Sequence, residues 1–498
     1  MALDDMFDCL KTKLIGHLKE TQQHCCVAFD MWTDNYRRIS YMTYTCHYVT
    51  DSWKLMSRVL KTAMFEHPHT SIRIEENFNA MMDEYGLRDK EIIAVVDGAA
   101  NVNRTVNDMG FVKIKCIAHS INRLIQFDLI QKGEGIEDVK NIIKKLRLIQ
   151  KALLYSYGQL TKMAKNERQK QIFELLEELT AIEEAIEADE RFSVEDLTAA
   201  PAGMDGLKSI SSVRWNCIYK VCHAHFHNSA IVKKCLEHHA AYELILSRSE
   251  LALLGRIVEV LEVFNTFTKY VQGNSYPTLN SLILFYVEIK GNLEQIQREN
   301  MCEVINKVVN ILLKNLDHRF QLTDACIAAA ILDPSSQHLP LIQSWLRDKD
   351  LSREDLLHRM VDQLKIKLPS ASDPHDESEH PPDNVQSRHM SLREKLLSRH
   401  VPIHRAGLDN SIEGELLRFQ DIREIFDDVL DFWRKFADNY PNLAAIAKVL
   451  FSIQATTATA ESSFSFAGSV IRSRRATIDP YRVEKVLFIH DNYDLFQL

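Results

Sequence analysis

The chain has 498 residues, with 60 lysines and arginines against 69 aspartates and glutamates, which gives a formal net charge of −9 at pH 7. Its content of 46% hydrophobic and 26% charged residues is that of an ordinary globular protein. On length alone we expect about three domains, each large enough to bury a core. Because the net charge is negative, any contact with nucleic acid must use local basic patches.

The sequence carries no signal for membrane insertion or secretion. No apolar run approaches the roughly 18 residues of a membrane span, and the N-terminus has acids where a signal peptide needs bases. Ten cysteines scattered through a large chain without a signal peptide are best interpreted as free thiols in a reducing compartment. We therefore predict a soluble, intracellular protein with no membrane partner.

The N-terminal quarter of the chain predicts an α/β arrangement. Residues 1–23 have the pattern of a short amphipathic helix, and a second helix fits 70–86, ending at Gly86. Strand-like segments lie at 24–32, 39–50, 53–65, 91–100 and 111–119. Three strands, a helix, a strand, a short helix and a strand, in this order, predict a mixed sheet.

From about residue 119 to 450 the pattern changes to helical periodicity, with apolar residues at i, i+3, i+4 and i+7. This predicts a large all-α block. Residues 368–389 interrupt it, and their density of Pro, Ser, Asp and His predicts a disordered, acidic linker. Helical periodicity then resumes and continues to the C-terminus.

Two acids follow the two most apolar predicted strands. Asp30 ends "CCVAFD" and Asp97 ends "IIAVVD". Ligand and metal sites of open α/β sheets lie outside the carboxyl ends of the strands. Two such acids, joined by a third from a packed helix, can bind two divalent ions about 4 Å apart, and oxygen ligands suit Mg²⁺ or Mn²⁺. Strand-end acids are common, so spacing alone leaves a purely structural role open.

A third acid, Glu461, stands in the stretch "TATAESSFSF". Small and hydroxylated residues around one carboxylate favour a helix N-terminus, where Thr or Ser caps and the acid complements the helix dipole. Two apolar residues, Phe464 and Phe466, follow at once. The local pattern therefore favours a capping role, and one carboxylate can also serve a second purpose.

Five sequence blocks, spread in order over residues 29 to 493, together resemble the hAT family of transposases, most closely its Hermes and hobo branch. The blocks are "FDMWTDNYRRISYMTYTCHYV", "VVDGAANVNR", "IKCIAHSINRLI", "SVRWNCIYKV" and "LFSIQATTATAESSFSFAGSVIRSRRATIDPYRVEKVLFIHDNY". The resemblance implies an α/β, ribonuclease-H-like catalytic domain with a mixed sheet, interrupted by a large all-α insertion.

The resemblance also implies domain boundaries. Residues 1–23 form an N-terminal helix and 24–125 the first part of the ribonuclease-H-like domain. Residues 126–440 form the helical insertion, with the linker at 368–389 inside it. Residues 441–498 form a C-terminal block that completes the catalytic domain and takes part in dimerisation.

Roles for individual residues follow from the same resemblance. The catalytic acids fall on Asp30, Asp97 and Glu461, which implies a two-metal site for Mg²⁺ or Mn²⁺ that cleaves DNA and transfers strands. His119 of "CIAH" is implied to contact phosphate, and Trp215 of "RWN" to stack on a flipped base. The residues expected to contact DNA are His119, Arg214, Trp215, Arg472, Arg474 and Arg475.

Each of these motifs also has another interpretation. Trp215 is equally a core tryptophan, and the basic cluster "RSRR" (472–475) is equally a solvated helix end. Cys116 and His119 have the spacing of half a zinc site, but no partner pair at zinc-finger spacing follows. His223 and His227, at i and i+4, are either a metal pair or spare histidines on a helix flank.

Members of the family usually begin with a BED-type zinc finger, and here only 29 residues precede Asp30 without a zinc-finger pattern. We therefore expect either the truncated product of a transposable element or a host protein derived from one. The first hypothesis for its function is a Mg²⁺- or Mn²⁺-dependent DNA transposase. The alternative is a domesticated, non-catalytic protein that self-associates through its C-terminal block and binds DNA or chromatin partners. Both imply a nuclear protein whose partners are DNA and a second copy of itself.

Overall fold

A computed structural model describes residues 3–20, 24–34, 38–153, 215–299, 302–369, 411–472 and 479–496. The chain divides into two compact units. The first consists of Met1–Cys116, Val271–Leu284 and Leu322–Leu498, and the second of Ile117–Tyr270 and Phe285–Gln321. Apart from its first two residues, the linker predicted at 368–389 lies outside the described residues.

The first unit begins with the elements that the sequence predicts, in the predicted order. They are helix α1 (Leu3–Glu20), strands β1 (His24–Asp34), β2 (Ile39–Val49) and β3 (Leu55–Phe65), helix α2 (Ser71–Tyr85), strand β4 (Glu91–Val96), helix α3 (Ala100–Asp108) and strand β5 (Val112–Lys115). Helix α2 has the expected ends: the Thr70 side chain accepts from the N–H of Arg73, and Gly86 takes a left-handed conformation with φ of 66°.

The strands form one five-stranded mixed sheet in the order β3-β2-β1-β4-β5. Strands β1 and β2, and β2 and β3, pair antiparallel, whereas β1 and β4, and β4 and β5, pair parallel. The central strands are buried from His24 to Phe29 and from Ile92 to Val96, as near-continuous apolar runs require. The α/β fold with a mixed sheet is thus confirmed.

Three strand ends differ from the prediction. Strand β4, predicted to run to residue 100, stops at Val96, and helix α3 begins at Ala100. Strand β5 stops at Lys115 because the N–H of Cys116 makes a last bond to Val96 and helix α4 begins at Ile117. Strand β1, predicted to end at residue 32, continues to Asp34, since β2 pairs with it over that whole length. Apolar periodicity does not predict these strand ends, because they depend on pairing with the neighbouring strand.

The second unit is helical in its described part. Its elements are α4 (Ile117–Arg123), a π-helical segment (Leu124–Gln131), α5 (Glu137–Leu153), α6 (Trp215–His227), α7 (Ser229–His238), a 3-10 turn (Tyr242–Leu244), α8 (Arg248–Val271), α9 (Leu282–Glu299) and α10 (Glu303–Arg319). A bidentate ion pair from Arg319 to Asp128, at 2.6 and 2.9 Å, ties α10 to the π-helical segment. The unit accounts for the first part of the predicted all-α block.

The remaining helices belong to the first unit. They are α11 (Asp324–Ile331), α12 (Pro340–Asp348), α13 (Arg353–Leu364), α14 (Ile412–Phe419), α15 (Val429–Phe436), α16 (Pro441–Ser452), α17 (Ala458–Arg472) and α18 (Pro480–Asp491), with 3-10 turns at Ala437–Asn439 and Tyr493–Phe496. Trp433 of α15 stacks on Trp53, which follows β2, at 5.7 Å. These helices thus share a compact unit with the sheet, and the boundaries of the insertion expected at 126–440 stay a prediction.

Among the described helices none combines the length and the apolar character that crossing a bilayer demands. All ten cysteines are described, and all are free thiols.

Helix α18 is part of the core of the first unit. Val483 and Leu487 are fully buried and pack with Tyr41 and Phe464. Phe488 is also buried and meets Phe7 of α1 edge-on at 5.0 Å. The helix is therefore covered on two sides within one chain.

We predict that Leu487→Ala lowers the free energy of unfolding by about 2–5 kcal/mol, because it empties a fully buried site. Urea denaturation followed by circular dichroism measures it. Tyr481→Ala, on the same helix at 68% exposure, is the control and should stay within about 0.5 kcal/mol of wild type. A Leu487→Ala protein of wild-type stability that has merely lost self-association would show that α18 is an interface and not core.

A chain of polar groups, buried at Thr45 and His47, crosses the antiparallel strands. The Ser57 hydroxyl donates to the carbonyl of Asn274 at 2.8 Å and is bonded to Nδ1 of His47 at 2.9 Å. Nε2 of His47 lies 3.1 Å from the Thr45 hydroxyl, which is also 3.1 Å from the Ala28 carbonyl. Burial lowers the pKa of His47 to about 4.

This histidine makes the stability depend on pH. Between pH 6.5 and about 4 the unfolded chain takes up a proton at His47 that the folded chain does not, so the stability present above pH 6.5 is lost as the pH falls. We predict that His47→Gln reduces the slope of unfolding free energy against pH in this window by up to about 1.4 kcal/mol per unit. His238→Gln, at an exposed site, is the control. Equal slopes in wild type and His47→Gln would contradict the buried neutral state.

Candidate acidic site

The first two predicted acids lie side by side in the sheet. Strands β1 and β4 are parallel neighbours, with Ala28 opposite Val95. Asp30 and Asp97 each lie two residues further along their strands. They therefore reach equivalent positions on adjacent strands, about 5 Å apart and on the same face of the sheet. This is where the parallel strand β4 ends, the position at which open α/β sheets bind ligands.

Both acids line one pocket of about 230 Å³. Oδ1 of Asp30 accepts a hydrogen bond from the N–H of Met31 at 2.8 Å, and Oδ1 of Asp97 accepts one from the N–H of Ala99 at 3.0 Å. These local bonds orient the two carboxylates. The other lining residues are Phe29, Met31, Thr33, Met42, His69, Ala99, Asn101 and Val102.

Glu461 joins Asp30 from the first turn of α17. It is only 8% exposed, and a carboxylate oxygen lies within 4.8 Å of one of Asp30. Trp32, two residues beyond Asp30 on the same strand face, stacks on Phe464 with ring centres 5.9 Å apart. Along β1, Asp30 and Trp32 are about 6.7 Å apart, and along α17, Glu461 and Phe464 are about 4.5 Å apart. One crossing of α17 over β1 therefore brings Glu461 near Asp30 and Phe464 onto Trp32.

The capping role that the sequence favoured for Glu461 is supplied by a neighbour. The Thr456 hydroxyl accepts from the N–H of Ala458 at the start of α17, at 3.2 Å. Thr457 donates to Sγ of Cys116 from both its N–H, at 3.4 Å, and its hydroxyl, at 3.6 Å. Cys116 thus has a structural partner in the first unit. The geometry favours a site role for the Glu461 carboxylate.

The two other metal hypotheses find no support in the described residues. Neither Cys116 nor the pair His223 and His227 belongs to a described cluster of three metal-ligating side chains. The rings of His223 and His227 lie 4.2 Å apart on one face of α6. This agrees with histidines on a helix flank.

The residues expected to contact DNA fall into three groups. His119 lies in helix α4 of the second unit. Trp215 begins α6, where it is 2% exposed and packs edge-on against Phe264, so its burial favours the core interpretation over base stacking. Arg214, Arg474, Arg475 and the side chain of Arg472 lie outside the described residues. The DNA contacts of all six stay predictions.

Two pocket residues escaped the sequence reasoning. The side chain of Asn101 donates to the carbonyl of His69 at 2.8 Å, which joins the loop before α2 to α3. Burial, and then the neighbouring His67, lower the pKa of His69. Asn101 lies in the quoted block "VVDGAANVNR", so a signal for it existed. Nothing around His69 marks it.

We predict that Asp30→Asn and Glu461→Gln each leave the melting temperature unchanged or raise it when divalent ions are chelated, because two like charges within 4.8 Å repel. Differential scanning calorimetry in EDTA measures this. Glu424→Gln, the same change at an exposed loop position, is the control. A loss of several kcal/mol in either acid variant would instead make these carboxylates structural hydrogen-bonding groups.

Two family models match parts of the chain. A model described as the ZBED1 RNase-like domain matches residues 28–112, which include Asp30 and Asp97. A model described as the hAT family C-terminal dimerisation region matches residues 409–493, which include Glu461 and α18. The sheet and the first match define a ribonuclease-like α/β protein, and the second supports self-association of the chain.

Two curated relatives come from Zea mays. The chain is 24% identical to one described as putative AC transposase and 23% identical to one described as putative AC9 transposase. Each alignment covers 95% of this chain, but only 56% and 57% of the relatives, so the chain spans little more than half their length. These matches support a protein of the hAT transposase family. The likeness to its Hermes and hobo branch stays a prediction.

Proposed function

We propose that the chain is an hAT transposase-like enzyme that cleaves DNA and transfers the freed strand, with Mg²⁺ or Mn²⁺ held by Asp30, Asp97 and Glu461. The observation that carries the proposal is the approach of Asp30 and Glu461 to within 4.8 Å, although more than 400 residues separate them in sequence. Asp97 lines the pocket that Asp30 lines. Ordinary helix packing does not require two acids to meet in this way.

The donor set fits such ions. Three carboxylates supply only hard oxygen ligands, which suit Mg²⁺ and Mn²⁺. Glu461 is only 8% exposed and lies within 4.8 Å of Asp30, and a divalent cation between them would offset the repulsion of the two carboxylates. When bound, such ions stabilise charge on phosphoryl oxygens and lower the pKa of a bound water.

The chain's own residues give the site its shape. Strands β1 and β4 fix the backbone of Asp30 and Asp97, and the contact between Trp32 and Phe464 fixes the helix that carries Glu461. Phe29 and Met42 form an apolar part of the pocket wall. The phosphodiester of one strand would enter between the acids.

The residues expected to contact DNA belong to the same proposal. His119 and the basic cluster Arg472, Arg474 and Arg475 have the charge or hydrogen-bonding capacity that phosphate contact needs. With a net charge of −9 for the whole chain, these local groups would supply the attraction for DNA. The proposal places the protein in the nucleus, where its substrate lies.

We predict that Asp97→Asn lowers Mn²⁺-dependent nicking of supercoiled plasmid by at least about 100-fold, since it removes one of three metal-binding carboxylates. Asp89→Asn makes the same change at an exposed position before the other end of β4, and should nick like wild type. Gel electrophoresis of the plasmid over time measures the rate. Wild-type nicking by Asp97→Asn would exclude Asp97 from the reaction.

A second function rests on the match to the dimerisation region. In this case the chain is a nuclear protein that self-associates and binds DNA or chromatin partners without cutting. Sedimentation velocity and the nicking assay on the same preparation separate the two functions. A dimer that never nicks plasmid in Mn²⁺ or Mg²⁺ supports the second function, and nicking that Asp97→Asn abolishes supports the first.

A further inference from the structure

The segment that joins α8 to α9, Val271–Leu284, belongs to the first unit. Its Thr278 hydroxyl donates to Oε1 of Gln454 at 3.1 Å and accepts from the N–H of Ala455 at 2.9 Å. The carbonyl of Val271 accepts from the Thr456 hydroxyl at 3.1 Å. We call this segment the connector. It holds the loop that leads directly into α17 and Glu461.

The connector also reaches strand β1. The carbonyl of Asn274 begins the polar chain that runs through Ser57, His47 and Thr45 to the carbonyl of Ala28. Ala28 lies two residues before Asp30. The connector is therefore hydrogen-bonded on one side toward the strand of the first acid and on the other to the loop of the third.

The bonds between the connector and the loop at Gln454–Thr457 are buried, which makes them restrictive, whereas the bond between Ser57 and Asn274 is exposed. Thr278 is 0% exposed, and Gln454, Thr456 and Thr457 are at most 4% exposed. Water cannot replace a lost partner at such a buried site, so an unmade bond there leaves a polar group desolvated without compensation. Nε2 of Gln454 already has no partner among the described residues. The loop therefore has little freedom to move while the Thr278 bonds persist.

We propose that Thr278 is a positioning residue, which acts through the loop at Gln454–Thr457 to set the distance between the carboxylates of Asp30 and Glu461. The connector thus holds the carboxylates of Asp30 and Glu461 at a fixed distance. Its consequence for metal binding rests on the proposed function, but its effect on the two carboxylates does not. The connector, which joins α8 to α9, thereby determines the distance between the carboxylates of Asp30 and Glu461.

The test compares wild type with Thr278→Val, which keeps the shape and removes the hydroxyl, and with Thr278→Ser, which restores it. In each background Asp30→Asn, Glu461→Gln and their combination form a double-mutant cycle, with the melting temperature measured in EDTA. The cycle isolates the interaction of the two carboxylates, which depends on their distance. Ser336→Ala, which removes another fully buried hydroxyl of the first unit, is the control for lost stability.

We expect Thr278→Val to reduce the coupling between the two acids by at least half, while Thr278→Ser and Ser336→Ala keep it. A second readout is the Mn²⁺ dissociation constant from electron paramagnetic resonance. It should rise roughly tenfold in Thr278→Val only, the scale at which outer-shell partners affect metal sites. Thr278→Val that loses stability but keeps the wild-type coupling would overturn the proposal.

The two proposals fail separately. A wild-type chain that binds no Mn²⁺ at the acids contradicts the proposed function, while the coupling in EDTA still decides the role of Thr278. If Thr278→Val does not fold, Thr456→Val removes the other hydrogen bond between loop and connector and is measured in the same way. Unchanged coupling in Thr456→Val would then overturn the proposal.

Discussion

The packing of α17 across β1 is the interaction on which the candidate site depends. Trp32 stacks on Phe464, and Tyr41 of the next strand stacks on Trp32 at 6.0 Å. Aromatic pairs of this kind bury large areas and resist sliding, because their rings interlock. A shift of α17 by one helical turn, about 5.4 Å, would part Glu461 from Asp30. The site is therefore only as well defined as this apolar contact.

The C-terminal block has two roles that limit one another. It supplies Glu461 and the helix α18, whose Val483 and Leu487 are fully buried in the first unit. The same residues lie in the region that matches a family dimerisation model. Side chains already buried within one chain cannot also form the contact between two chains. Self-association must therefore use the exposed face of the block, where Tyr481 and Tyr493 stand at 68% and 54% exposure.

Local pattern was sufficient for the sheet and for two of the acids. The apolar runs of β1 and β4 predict buried parallel strands, and the rule for strand ends places Asp30 and Asp97 together. The third acid had no such local sign. Its sequence neighbours predicted a helix cap, and only the family resemblance joined Glu461 to a partner more than 400 residues away. A contact between residues so far apart in sequence, such as that of Glu461 with Asp30, leaves no periodic pattern that would predict it.

Other features were out of reach for a related reason. The burial of Trp215, the assignment of α11 to α15 to the first unit and the buried side of Phe488 are all decided by which surfaces meet. Single threonines such as Thr278 carry no pattern at all, because a hydroxyl in a loop is ordinarily solvated. Such residues become visible only when the partners of each buried donor and acceptor are known.

The central claim is that Asp30, Asp97 and Glu461 together bind divalent metal. The most direct measurement is anomalous X-ray scattering from crystals of the protein grown with Mn²⁺. The account predicts an anomalous peak within about 2–2.5 Å of carboxylate oxygens of these acids, the usual range for hard cations. Crystals with well-ordered acids, millimolar Mn²⁺ and no peak between them would contradict it.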